Sequence, residues 1–480
     1  MSKILKNNSN PLVAIELPDI GFTLPTSPDY TMNSTEYDLF ASSDGLVTAI
    51  GNEDIIVNDG SFDLGISDGI DLIKGIFPST VAITSQSGGV ASVKIGGTGS
   101  HDSFGRLRVS DISNIFESTH SNSEQAEFWD MKTVGGATVT HHSQHSEMQL
   151  NVGTASGDHA LRQTLNYFHY AAGQSMMIRL TGVLGSGKTN LDSCCGYYDD
   201  NNGLVFRVSD GVFQVGIRSD ISGSVVETWV NQDNFNIDKM DGTGESGIIL
   251  DLDKTQIFQI EYQWLGVGSV TMSVHINGNQ YYLHRFDNAN ISDKVYMRTP
   301  HLPVRYEIMN TGVTASASTV SQICTQVANE GKSIVGDLIN VVDNGVDTKA
   351  ISSSSFKPVL SYRHKQGSLI LTELISITNM VTTTDDVLIE VYIDATLTGA
   401  SWTNHSQFIE SDTSATAISG GRRVASFYVS KEASSPSGSF DSKFRLGQYI
   451  DGTPQHVTIC AKSFVNSAAM VSAFTFKELF

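Results

Sequence analysis

The chain is poor in cysteine: only Cys194, Cys195, Cys324 and Cys460 occur in 480 residues. Two of these are adjacent and no C-x-x-C is present, so neither a disulfide framework nor a zinc site is expected. Basic residues are also scarce. Thirty Lys and Arg face 51 Asp and Glu, a formal net charge of −21. Phosphate contacts need a basic face, so no nucleic-acid partner is expected. From Asn7 to Ile73 there is no Lys or Arg at all. Yet charged residues make up only 17 % of the chain, which excludes a disordered acidic polymer. Long apolar runs are missing as well. None reaches a membrane span, and the run Leu12 to Ile15 is too short for the core of a signal peptide. The protein is therefore expected to fold in a cytoplasm, wherever it acts. Proline is sparse and uneven. Pro11, Pro18, Pro25 and Pro28 crowd the start, while none occurs from Val81 to Thr299, which suits unbroken strands.

What the chain does have is alternation. Between Asn202 and Phe286, Leu204, Phe206 and Val208 share one face of an extended segment. Phe258, Ile260, Tyr262 and Trp264 form a second such set, and Val270, Met272, Val274 and Ile276 a third. Asp210-Gly211, Gly266-Val267-Gly268 and Asn277-Gly278 separate the runs and suit tight hairpin turns. This stretch reads as one antiparallel meander with a packed face, and a second sheet must cover that face.

The expected fold class is all-β and multi-domain. Residues 1–98 read as an acidic anchor region: an extended arm over 1–40, then short strands in GLVTAIG, DIIVND and VASVKIG. Residues 99–313 form a lectin-like antiparallel β-sandwich, with Trp129, Trp229 and Trp264 as expected core anchors. Residues 314–355 are a helix and linker. Val320, Ile323, Cys324 and Val327 recur at helical spacing over Thr314 to Lys332, and Gly331 suits the end of a helix. Residues 356–480 return to alternation, as in Val387, Ile389, Val391 and Ile393, and predict a smaller β-sandwich or jelly roll.

Four segments carry candidate chemistry. Gly182 to Thr189 (GVLGSGKT) matches the phosphate-binding loop G-x-x-x-x-G-K-[ST]. That motif works only where a strand feeds the loop and a helix leaves it. TNLDSCCGYYDDNNG follows here, with no helical repeat, so a plain loop between antiparallel strands is expected. His141, His142 and His145 could ligate a metal, but Met148, Leu150 and Val152 alternate just after them. That places His145, Glu147 and Gln149 on the polar face of a strand. Asp199 to Gly203 (DDNNG) and Asp343 to Asp347 (DNGVD) are rich in oxygen ligands. Neither has EF-hand spacing, and both suit turns. No G-x-S-x-G elbow occurs, and no carboxylate pair stands out. The protein is expected not to be an enzyme; no catalytic, cofactor-binding or metal-ligating residue is assigned, and no cofactor.

Several phrases resemble an uncharacterised family of virion structural proteins from tailed bacteriophages. They are Phe104 to Ser110 (FGRLRVS), Phe128-Trp129-Asp130, and Gly196 to Leu204 (GYYDDNNGL). LDLDKTQIFQIEYQWLGVGSV, VYMRTPHLPVRYEIMNTG, ATLTGASWTN and TSATAISGG continue the likeness, which covers about residues 99–480. The resemblance implies a place in the particle: tail, baseplate or fibre, with a head fibre or decoration protein as the near variant. It supplies no catalytic residues. Other virion proteins are the partners it implies; from the modular layout, residues 1–98 are expected to anchor the chain to them and copies to associate as trimers. A host-surface glycan is the alternative partner, met by the Asp199–Gly203 loop or by the surroundings of Trp402.

Overall fold

A computed structural model of the protein describes residues 112–331, 338–368, 370–382, 385–431 and 437–479, and the backbone of seven short strands in the first hundred residues. The chain divides into two compact units, Met1–Ser100 and His101–Phe480.

In the first unit the expected extended arm is partly paired. Ile4–Asn7 lies antiparallel between Asp29–Thr31 and Ile55–Asn58. Ile15–Leu17 pairs with Phe22–Leu24, and Val81–Ser85 with Ala91–Ile95. None of these paired segments contains a proline, so each keeps the backbone donors its ladder needs. The strand expected in GLVTAIG lies outside the described residues.

The second unit is all-β and contains two sandwiches. In the first, an eight-stranded sheet runs Thr138–His142, Glu147–Val152, Ser318–Glu330, Ser175–Val183, Gln256–Tyr262, Val270–Ile276, Asn279–Phe286, with Ile112–Thr119 also on Ser318–Glu330. Facing it, a seven-stranded sheet runs Val226–Asn231, Val212–Ser219, Gly203–Ser209, Leu191–Tyr198, Val304–Asn310, His159–Thr164, Trp129–Val134. All pairings are antiparallel. The Asn202–Phe286 stretch is therefore not one meander. Its first hairpin belongs to one layer and its later strands to the other, so this stretch supplies both walls of the core. Phe206 and Phe258 meet across the gap at 4.9 Å. Asp210 and Gly211, like Asn277 and Gly278, have positive φ angles of 51° and 81°, and 52° and 82°. Those values make both turns the twisted type that matches flanking strands. Tyr197 and Tyr262, both fully buried, donate their hydroxyls to the Pro300 carbonyl at 3.1 and 2.9 Å, so neither polar tip is stranded.

The helix expected over Thr314–Lys332 does not form; Ser318–Glu330 is instead a central strand. Its helical look has a physical cause. Thr181 pairs with Cys324 but Gly182 with Gln322, so Ile323 is an extra residue. A bulge of that kind moves the alternation by one position. Val320 and Val327, seven apart, then both reach the core, where a regular strand would put them on opposite faces. β-branched residues along the segment favour the extended form.

In the second sandwich a five-stranded sheet carries Leu338–Asp343, Ala468–Leu479, Leu371–Val381 and Ser437–Arg445, with Lys349–Ile351 on Ala468–Leu479. A six-stranded sheet carries Thr403–Asn404, Ile409–Asp412, Lys357–His364, His456–Ser463, Val387–Ile393 and Arg422–Val429. Leu338–Asp343 thus takes part of the expected linker into a sheet. Val387, Ile389, Val391 and Ile393 all point into the core, as their alternation requires, and Tyr362 stacks on Phe476 at 4.8 Å. The sandwiches touch directly. Gln448 N–H donates to Leu165 O at 2.9 Å and Ile450 N–H to Asp130 Oδ2 at 2.8 Å, while Tyr167 packs on Leu371 and Leu479.

Candidate functional site

The outer face of the seven-stranded sheet is not a plain wet surface. Alternation assigns Leu204, Phe206 and Val208 to the core, so Val205 and Arg207 must face outward. By the same logic Cys195 points in and Cys194 out, which is why two adjacent cysteines remain unpaired thiols. Cys194, Tyr198 and Val205 form a small apolar cluster on the outside, with Trp229 packed against it.

Glycines make room for these rings. Trp229 pairs with Gly216, and a Cβ there would lie 2.3 Å from the indole. Gly203 opposes Tyr198 at a φ of 153°, and a Cβ there would lie 1.9 Å from the Tyr198 Cβ. Only glycine tolerates that combination. The rings can therefore lie down on the sheet.

Guanidinium groups cover them. Arg207 Cζ sits 3.6 Å from the centre of the Trp229 ring. Arg218 and Arg305 Cζ each lie 5.2 Å from Tyr198. Glu227 ties this end together. It accepts from Arg218 Nη2 at 2.7 Å and from Trp229 Nε1 at 3.1 Å. At the other end Glu307 accepts from His159 Nε2 at 2.7 Å and from Tyr198 Oη at 3.0 Å. Burial pushes the Glu307 carboxyl up, but the His159 hydrogen bond and the Arg305 and Arg218 charges outweigh it and hold it at about 2. Burial and the Glu307 charge push the Tyr198 phenol well up, so it stays a donor. The result is a neutralised strip of rings, guanidiniums and carboxylates set for polar, non-covalent contact.

The Asp199–Gly203 segment borders this strip; Asp199 and Asn202 are buried, while Asp200 and Asn201 are exposed. Asp199 Oδ1 accepts the Asn201 and Asn202 N–H groups at 2.8 Å each. The Asn202 amide binds Asp220 at 2.8 Å and accepts from Arg298 N–H at 3.0 Å. Asp200 pairs with Arg305 at 2.5 Å. Asp343 likewise accepts Gly345 N–H at 2.8 Å, and Asn344 bridges to Asp347 O and Ser472 N. Both segments are turns held by their own side chains.

The GVLGSGKT match forms no phosphate cradle. Ser175–Val183 leads into the loop, but the strand Leu191–Tyr198 of the opposite sheet leaves it. Ser186 N–H donates to Asp253 Oδ1 at 2.8 Å, which puts a carboxylate where the motif would place a phosphate. Lys188 Nζ caps Ser316 O, Ser316 Oγ and Ala317 O at 3.0, 2.8 and 3.1 Å. The histidines sit around a hairpin turn. His141 Nε2 binds His120 O at 2.7 Å, His142 stacks on His145, and His145 meets Glu147 at 3.3 Å. Gln149 also donates to Glu147. Among the described residues no cluster of His, Cys, Asp and Glu could hold a metal ion, and no helix is long and apolar enough to cross a membrane.

The tryptophans divide. Trp129 is a core residue, with Nε1 on Ser118 Oγ at 2.9 Å and the buried Arg162 guanidinium 4.8 Å above it. Trp264 is half-buried at the core's edge and bonds Met297 O at 3.1 Å, because its strand has ended at Tyr262. Trp229 is not a core anchor: the register puts it outside, over Gly216. Trp402 is half-buried, with Arg363 Cζ 4.2 Å above its ring and His456 edge-on at 5.7 Å. The composite strip of Arg207, Tyr198, Trp229 and Glu307 was missed by sequence reasoning. Outward glycines at Gly196, Gly203 and Gly216 on neighbouring strands were the available signal.

No family model matches this sequence, and no curated protein does. Solved structures resemble it loosely. A glycoside hydrolase family 16 endo-glucanase from Bacteroides ovatus aligns over 44 % of this chain and 99 % of its own, at 10 % identity and a TM-score of 0.30. A legume lectin-like domain from Entamoeba histolytica aligns over 45 % and 98 %, at 10 % identity and 0.28. The lectin I-B4 of Griffonia simplicifolia aligns over 45 % and 99 %, at 12 % identity and 0.28. The likeness takes in less than half of this chain, and no ligand or reaction passes to this chain from it.

Proposed function

We propose that the protein is a non-catalytic structural component of a tailed-phage particle, in the tail, the baseplate or a fibre. It is made in the host cytoplasm and ends in the virion, where its β-sandwiches dock on other virion proteins and its copies associate as trimers. A head fibre or decoration protein is the near variant. The observation that carries this reading is the set of long phrases from Gly196 to Leu204 and Val295 to Gly312 that resemble phage virion proteins. Two closed sandwiches in direct contact suit a rigid spacer. The test is mass spectrometry and labelling of purified particles. Stoichiometric copies at one location are expected; absence from the particle would overturn the reading.

A second reading is favoured by the outer strip of the seven-stranded sheet: the protein recognises a host-surface glycan. Guanidinium groups laid over rings on a sheet face, interleaved with carboxylates, offer the donors and acceptors that sugar hydroxyls need. Screening the full chain against immobilised glycans tests this, and failure to retain any would remove it.

A further inference from the structure

We infer that the face around Arg207 is a subsite for a neutral sugar, recognised through two neighbouring hydroxyl groups. The inference rests on the glycan reading and names its site.

Arg207 is held but not used up. An arginine carries five N–H donors in a fixed fork. Its Nε donates to Gln214 Oε1 at 2.8 Å, and its plane is fixed by Trp229 at 3.6 Å. The terminal nitrogens have only distant partners. Nη1 lies 4.0 Å from Asp192 Oδ2 and 3.9 Å from Glu227 Oε2, beyond hydrogen-bond reach. The side chain retains 16 % exposure. Immobilising a guanidinium removes rotamer freedom before any ligand arrives, which lowers the cost of binding.

The charges around it choose the ligand. Asp192 and Glu227 flank Arg207, and Glu307 lies two strands away in the same row, beyond Cys194. An anionic ligand meets repulsion from these carboxylates. A hydroxyl does not, because it both donates and accepts. One sugar hydroxyl can accept from Arg207 and donate to Asp192, and its neighbour can accept from Arg207 and donate to Glu227. Two such groups fill gaps of about the right size for bridging oxygens. The site is reached from outside because Val226–Asn231 lies at the end of its sheet and the Glu227 side chain is 31 % exposed.

The experiment uses the full-length protein, a panel of neutral and uronic-acid oligosaccharides, and calorimetric titration. The variants are Arg207→Lys, which keeps the charge but loses the fork, and Glu227→Gln. Wild type should bind a neutral oligosaccharide and no uronic acid. Arg207→Lys should weaken that binding by at least about tenfold with an unchanged melting temperature. Should Arg207→Lys unfold the protein, protection of Val226–Asn231 amides from hydrogen exchange by the sugar in wild type answers the same question. Binding that survives both substitutions overturns the site but leaves the glycan reading standing. Binding of uronic acids alone overturns the ligand class. A wild type that binds no glycan, with particle incorporation impaired by Arg207→Lys, overturns both in favour of a protein-docking face.

Discussion

Each sandwich lays an arginine over a tryptophan on the outside of a sheet, and the two pairs are finished differently. In the second sandwich Arg363 covers Trp402 and also donates to Glu410 at 3.0 Å, within the row Glu410–Arg363–His456. His456 is tied to Ala395 O, and Asp394 accepts from Tyr449, Gln455 and the His456 N–H. There a carboxylate holds the guanidinium directly. In the first sandwich Arg207 bonds a neutral amide, and its carboxylates stand off by about 4 Å. The same ring-and-guanidinium device is therefore held by a carboxylate in one sandwich and by a neutral amide in the other. What separates them is whether a carboxylate reaches the guanidinium, not the presence of the tryptophan.

The largest effect should separate core from strip. Phe206→Ala removes a fully buried ring between the two sheets and should cost about 3–5 kcal/mol in denaturant unfolding. Trp229→Ala, on the other face of the same sheet, should cost only about 1–2 kcal/mol, since its ring is half-exposed and stacks mainly on Arg207. Equal losses would mean that the strip is part of the core.

Acid should weaken the first sandwich more than the second. Burial lowers His120 and His301 to about 4 and His169 to about 3, with nearby positive groups adding to the effect; His364, in the second sandwich, is lowered by burial to about 4. A histidine whose folded value lies below its unfolded value of 6.5 contributes no loss above that pH. Stability then falls as pH drops from 6.5 through 4, because the unfolded chain binds more protons. Glu307 adds a second loss as pH falls from 4.5 toward 2. Calorimetry across pH 7 to 4 should show the first sandwich losing melting temperature first. A flat profile would contradict the buried, neutral state of these rings.

Gly216→Val puts branched carbons where the Trp229 ring lies, 2.3 Å from where a Cβ would sit. The ring should be expelled at a cost of about 1–3 kcal/mol, with a rise in Trp solvent exposure by fluorescence quenching. Arg363→Met should cost about 1 kcal/mol, and Arg207→Met less, because only the former breaks a direct ion pair. Thermal melts of the two variants check the order, and the reverse order would undo the contrast between the carboxylate-held and the amide-held arginine. The smallest change is expected for Lys188→Ala. It loses exposed capping bonds to Ser316 and Ala317, under about 1 kcal/mol, and nucleotide titration should show no binding in either form.

Much of this was legible from local pattern. Alternation identified the strands at Leu204, Phe258, Val270 and Val387, and the Asp-Gly and Asn-Gly pairs identified their turns. Local pattern failed where one residue changed the phase. The bulge at Ile323 made a strand read as a helix. It failed again where a side chain's face depends on its partner strand, as for Trp229. The GVLGSGKT loop was correctly denied its helix, because a phosphate cradle needs a context that the following residues lack.

By itself, the sequence determined that the chain is β, where it turns, and which residues avoid water, because side-chain alternation and turn chemistry are properties of neighbours along the chain. The tertiary structure decided which sheet each strand joins. That assignment set Trp129 in the core and Trp229 on the surface, and it brought Arg207, Glu227 and Glu307 from separate strands into one strip. Such residues meet only through backbone pairing between distant segments, and no local spacing encodes that pairing.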